Sequence, residues 1–304
     1  MKNQLNPLLA RQLTGGARRS RFFWLVSFHV LLQGLIAFGF LRLGGMATSS
    51  ESDARISLAG LLSNARQLYW LSSLLLLLTG GLLAPIAAIG GLAGEMEHRT
   101  FDLLRITTLS PRAIVLGKWG AAILTGLLLL LTPIPVQLLG FWLGGVTLTE
   151  LLLTQVFLFV VLMLNTALAL AISARVRKTW IAVLIFYGIV LAAVPIIGGG
   201  ALLVVLYGGW YVPVSSTQPL WQMALAQHGW VLLTGVHPLS AAIASVILGT
   251  EQGAWFWLTF PIMGAGITPT VTLPAPWFTH TLLALPITAV LLWWTARRMA
   301  RPEV

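Results

Sequence analysis

The chain has 304 residues, of which 58% are hydrophobic and 9% charged, with 18 Lys and Arg against 8 Asp and Glu and a net charge of +10. An average soluble domain carries roughly 25% charged residues, so an ordinary soluble globule is excluded: one core cannot hide this much apolar surface while still presenting polar groups to water. The absence of cysteine removes disulfides, thiolate metal sites and cysteine nucleophiles together, and the basic residues are diluted through apolar stretches, which fits anionic lipid headgroups and not nucleic acid.

Residues 1–21 place Lys2, Arg11, Arg18, Arg19 and Arg21 among Leu5, Leu8, Leu9 and Leu13 at near-helical spacing. This predicts an amphipathic interfacial segment. With no short apolar region and no small-residue cleavage site ahead of the first long span, it is expected to be retained.

A bilayer core about 30 Å thick takes roughly 20 apolar residues as a helix. The long apolar runs do not alternate, so helices are expected and barrel strands are not. Six spans are predicted within an all-α polytopic membrane domain over 22–296: Phe22–Leu41, Leu68–Ala93, Ala113–Leu143, Leu151–Ala174, Trp180–Tyr207 and Thr279–Ala296. Basic residues resist translocation, and this arrangement collects 15 of the 18 on one side, including Arg175, Arg177, Lys178 and the tail 297–304 with Arg297, Arg298 and Arg301. Both termini are therefore expected in the cytoplasm of a multi-pass protein of the cell membrane, a bacterial inner or plasma membrane.

Gln33, Gln137, Gln155 and Asn165 are neutral amides inside spans and are expected to join helices. Gly34, Gly39, Gly80 and Gly81 are expected to permit close helix approach. Pro133, Pro135 and Pro195 should kink their spans, with packing as their first role and gating as an alternative. Trp180, Trp210, Tyr211, Trp293 and Trp294 read as interfacial anchors. Between the last two spans, 208–280 is apolar but broken by prolines and carries Glu251 and Gln252, which are costly in lipid. An external or re-entrant segment is expected there, with a short amphipathic helix opening at His237-Pro238 and presenting Leu239, Ile243, Val246 and Ile247.

The cytoplasmic connection 94–112 is the densest polar stretch, holding Glu95, Glu97, His98, Arg99, Asp102 and Arg105. As a helix it pairs Glu95 with Arg99 and His98 with Asp102 at i,i+4 and Asp102 with Arg105 at i,i+3, leaving Phe101, Leu103 and Leu104 as an apolar strip. Ser110-Pro111 is a start signal for the next span, an N-cap followed by a proline whose missing donor would be unpaired anyway.

The run E-x-E-x-x-T-x-D-L-L-x-x-T-x-L-S-P-x-x-I-V-x-G-K, Glu95 to Lys118, resembles the cytoplasmic loop of ABC-2 type permeases, the membrane subunits of ATP-binding-cassette exporters. The chain departs from the usual pattern at Arg99 and Thr108, where that family often has glycine and proline. The resemblance implies that Thr100 to Ile106 is a coupling helix seated in a cleft of a separate ATPase subunit. Glu95, Glu97, Thr100, Phe101, Asp102, Leu103, Leu104 and Arg105 would then form the coupling surface. It further implies a non-catalytic subunit that forms the path for efflux, pairs with a second permease chain as homo- or heterodimer, and needs no cofactor of its own, ATP and magnesium being bound by the partner.

Competing chemistries leave weaker traces. No G-x-x-x-x-G-K-[ST] phosphate loop occurs, and the Glu95, Glu97, His98, Asp102 cluster lacks zinc-ligand spacing. A polytopic enzyme would have to draw on His228, His237, His280 and Glu251 at the external side. An ion-coupled transporter would need acidic groups in the middle of spans, where the sequence has none.

Overall fold

The computed structural model describes residues 20–47, 58–98, 109–194, 219–262 and 269–300. The expected interfacial segment lies outside these residues, apart from its last two positions. Four helices are long and apolar enough to cross a membrane: Leu62–Glu97, Pro111–Leu131, Leu148–Ser173 and Pro276–Met299. Shorter apolar helices, Val26–Gly39 and Thr179–Ala193, fall where the first and fifth spans are expected. The protein is thus a helical membrane protein. The chain divides into two compact units, residues 1–185 with 288–304 and residues 186–287.

In the first unit the helices are α1 (Ser20–Ala47), α2 (Leu58–Glu97), α3 (Pro111–Leu131), α4 (Ile134–Trp142) and α5 (Leu148–Ser173), and α6 (Thr179–Ala193) begins there. Their ends are set locally. Ser110 accepts from the Ala113 amide at 3.2 Å with Pro111 in the first turn, as the sequence predicts. Thr147 and Glu150 form a reciprocal capping box at the start of α5, satisfying two backbone donors that the first turn leaves free. The expected third span is not one helix: the chain breaks at Thr132-Pro133 into α3 and α4. Proline supplies no amide donor, so the ladder stops there.

The core of this unit is α2, which packs most extensively against α5, then α3, α4 and α1. Lipid tails are as apolar as leucine, so burial of apolar surface gives little drive between helices within a bilayer and polar links carry more of the specificity. Such links occur along α2. The Ser72 hydroxyl donates to Gln33 Oε1 at 2.8 Å. Gln137 Nε2 donates to Ser73 Oγ at 3.1 Å, and Gln155 Nε2 donates to Gln137 Oε1. Asn165 Nδ2 donates to the Gly81 carbonyl at 3.0 Å. The four amides therefore join helices, as expected.

The glycines expected at close approaches need correction. Gly34 and Gly39 have nothing within 4 Å of where a side chain would begin, and Gly80 and Gly81 meet ordinary contact distances. Tight sites lie elsewhere, among them Gly126, where a Cβ would lie 2.4 Å from the Leu162 side chain, and Gly145, where it would lie 2.4 Å from the Arg66 amide nitrogen.

The second unit contains α7 (Leu220–His228), α8 (Trp230–Thr234), α9 (Pro238–Gln252), strands β1 (Trp257–Pro261) and β2 (Thr270–Pro274), and the start of α10 (Pro276–Met299). The helix expected at His237-Pro238 is α9, capped by His237 and closed by Gly253 in the left-handed region at φ 63°, a conformation glycine adopts without strain. Its buried face is Ala241, Ala244, Ser245 and Leu248, while Ile243 and Ile247 face outward. The strands, absent from the all-α expectation, pair antiparallel with Thr259 opposite Thr272. Leu258 and Phe260 point inward.

Candidate functional site

The sequence directs attention to the connection between α2 and α3. Thr100, Phe101, Asp102, Leu103, Leu104 and Arg105 lie outside the described residues, as does Pro195. The structure does describe the frame from which that connection hangs, including Glu95 and Glu97.

Glu95 and Glu97 occupy the last turn of α2, and each carboxylate ties that helix to another. Glu95 Oε2 forms an ion pair with Lys118 of α3 at 2.7 Å, and the same ammonium donates to the Gly91 carbonyl. The Lys118 side chain is 1% exposed and that of Glu95 29%, so the pair lies at the edge of the packed helices with the cation inward. The sequence reading paired Glu95 with Arg99, which lies outside the described residues. A signal for the observed partner was present: a lysine within an apolar run needs an anion or carbonyls to be tolerated.

Glu97 Oε2 accepts from both the amide (3.1 Å) and the hydroxyl (2.7 Å) of Thr179, the first residue of α6. A carboxylate here meets unpaired amides and the positive end of the helix dipole. The two bonds from Thr179, hydroxyl first, hold the Glu97 carboxyl below the ordinary carboxylate range.

One turn back, Ser173 of α5 enters the backbone ladder of α2. Its hydroxyl accepts from the Ala93 amide at 2.8 Å and donates to the Ile89 carbonyl at 3.1 Å, two groups that would otherwise bond each other. Just beyond α5, the Ala174 carbonyl accepts from Arg298 Nε at 3.3 Å, and the Arg175 guanidinium lies 4.0 Å from the Trp294 ring centre. The ends of α2, α3, α5, α6 and α10 are thus joined by side-chain bonds around the base of the connection.

Pro133 is buried at the α3–α4 break, and Pro135 is exposed in the first turn of α4. A proline the sequence reading passed over, Pro85, sits inside α2. It removes the donor that the Gly81 carbonyl would take, and Asn165 supplies the replacement.

The histidines considered for an enzyme are engaged with backbone. His237 Nδ1 accepts from the Leu239 amide at 3.2 Å, His280 Nδ1 donates to the Gly235 carbonyl at 3.1 Å, and His228 Nε2 donates to the Pro261 carbonyl at 3.0 Å. Glu251 is exposed at the end of α9. Among the described residues no group of three His, Cys, Asp or Glu could hold a metal ion. In comparison with known proteins, no family model and no curated protein matches the chain.

Proposed function

We propose that this chain is the permease subunit of an ATP-binding-cassette exporter of the ABC-2 type, with six spans, both termini in the cytoplasm, and residence in the cell membrane. The observation that carries the reading is the stretch Glu95 to Lys118: its Thr-Phe-Asp-Leu-Leu centre resembles a coupling helix, and its first and last residues are the ion pair that clasps α2 to α3. The helices flanking the stretch are fixed to each other and, through Glu97, to α6.

In this reading a separate ATPase subunit binds ATP and magnesium. Closure of an ATPase pair pushes the Thr100–Ile106 segment, and the clasp passes the push to α2 and α3 as one body, which opens a path for efflux at the interface with a second permease chain. Phe101 and Leu104 fill the partner's cleft, while Asp102 and Arg105 set register through charge pairs.

The test is co-purification with the candidate ATPase, wild type against Phe101→Ala/Leu104→Ala. Two buried anchors at roughly 1–2 kcal/mol each predict a loss of affinity of about a hundredfold. Unchanged binding together with unchanged stimulation of ATP turnover would remove the coupling assignment.

A further inference from the structure

The basic end of α10 holds a cavity of about 240 Å³ lined by Trp293, Trp294, Arg297 and Arg298. Two of the arginines at this end sit over indoles: Arg297 is 3.9 Å from the Trp293 ring centre, and Arg175 is 4.0 Å from that of Trp294. A cation–π contact does not consume the N–H donors of a guanidinium, whose fork matches the spacing of phosphate oxygens. Arg298 commits only Nε, to the Ala174 carbonyl. Among the described residues no carboxylate pairs with Arg175, Arg297 or Arg298. Three cations therefore converge with no anion paired to them among the described residues.

The surroundings narrow the ligand. Drug-sized ligands occupy roughly 300–1,000 Å³, so this space suits a compact group. It sits where an apolar helix meets its basic end, the kind of boundary that indoles favour at a membrane surface. Val290 and Trp293, on the same helix, are 60% and 45% exposed, an apolar track running away from the cations. A head of negative charge with a hydrocarbon tail satisfies both features, and a soluble anion satisfies only the first.

We infer that Trp293, Trp294, Arg297, Arg298 and Arg175 form a binding site for the phosphate headgroup of an anionic phospholipid, whose acyl chains lie along α10. The site depends on the chain lying in a bilayer and not on the ATPase partner, so it stands or falls separately from the transporter reading.

Native mass spectrometry of the purified full chain, released from mixtures of phosphatidylglycerol and phosphatidylcholine, tests it. Each arginine near an anionic surface contributes about fivefold, so Arg297→Gln/Arg298→Gln should lower the preference for phosphatidylglycerol by about twenty-fivefold, while Arg112→Gln, on the same basic side but outside the cavity, should leave it within about twofold. If the double variant fails to fold, Arg297→Lys/Arg298→Lys keeps the charge without the planar fork, and a reduced preference is expected. An unchanged preference in either double variant overturns the site, as does an equal loss in Arg112→Gln, which would indicate diffuse surface attraction. Displacement of the lipid by an equal concentration of inorganic phosphate would also overturn it and assign the cavity to a soluble anion.

Discussion

Pro85 and Asn165 show how one residue's deficit is met by another across a helix interface. Without Asn165 the Gly81 carbonyl would be a buried acceptor with its helical donor missing, so Asn165→Leu should cost about 1–2 kcal/mol. Restoring the backbone donor with Pro85→Ala in the Asn165→Leu background should recover part of that loss, measured as unfolding in mixed micelles; no recovery would mean that Asn165 acts by packing alone. Glu97 gives a pH signature. Its folded carboxyl lies below the ordinary range, so between the two values the unfolded chain binds more protons, and the contribution is present above the ordinary range and lost as pH falls through the folded value. The stability difference between wild type and Glu97→Gln should therefore shrink on acidification; a pH-independent difference would contradict the Thr179 bonds. At this scale the sequence marked the amides as connectors, because a neutral amide in lipid has few other uses. It did not reveal which carbonyl Asn165 meets or that Lys118 takes Glu95, since both depend on how separate helices pack against each other.

Elements whose ends are encoded within a few residues were legible. Ser110-Pro111 and His237-Pro238 each combine a capping side chain with a proline in the first turn, and α3 and α9 begin there. The hairpin of β1 and β2 was not, because each strand has five residues and ends in proline, leaving too little alternation to separate from loop. The third span was expected to kink at its prolines, but the full break into two helices was not legible, because hydropathy runs smoothly through Thr132-Pro133 while the backbone ladder does not. Close approaches were missed at Gly126 and Gly145 because a glycine's neighbours belong to other elements. At Gly145 the obstruction is the backbone of α2, which cannot rotate away, so Gly145→Ala should destabilise by about 3 kcal/mol. Thermal unfolding of that variant beside Gly34→Ala, which lies inside α1 with open space around it and should be neutral or mildly stabilising by helix propensity, isolates the steric conflict.

For the whole molecule, composition established the membrane class, and four long apolar helices agree with it. The proposed transmission of force makes a further demand on the clasp. Lys118→Met replaces a buried cation with an apolar chain of similar length and leaves Glu95 able to reach water, so folding and ATPase binding should persist while most permease-dependent ATP turnover is lost. Retention of full turnover would show that α2 and α3 move together without the ion pair. The same helix carries a second charged clasp toward its other end, where Arg66 meets Glu150 at 2.9 Å. From Arg66 to Glu95 the axis runs about 29 residues, or ~44 Å at 1.5 Å per residue. A bilayer measured between its headgroup layers is about 40–45 Å thick. Charged pairs resist entering hydrocarbon, so two clasps at this separation would allow α2 to cross a bilayer with both pairs kept out of its apolar interior.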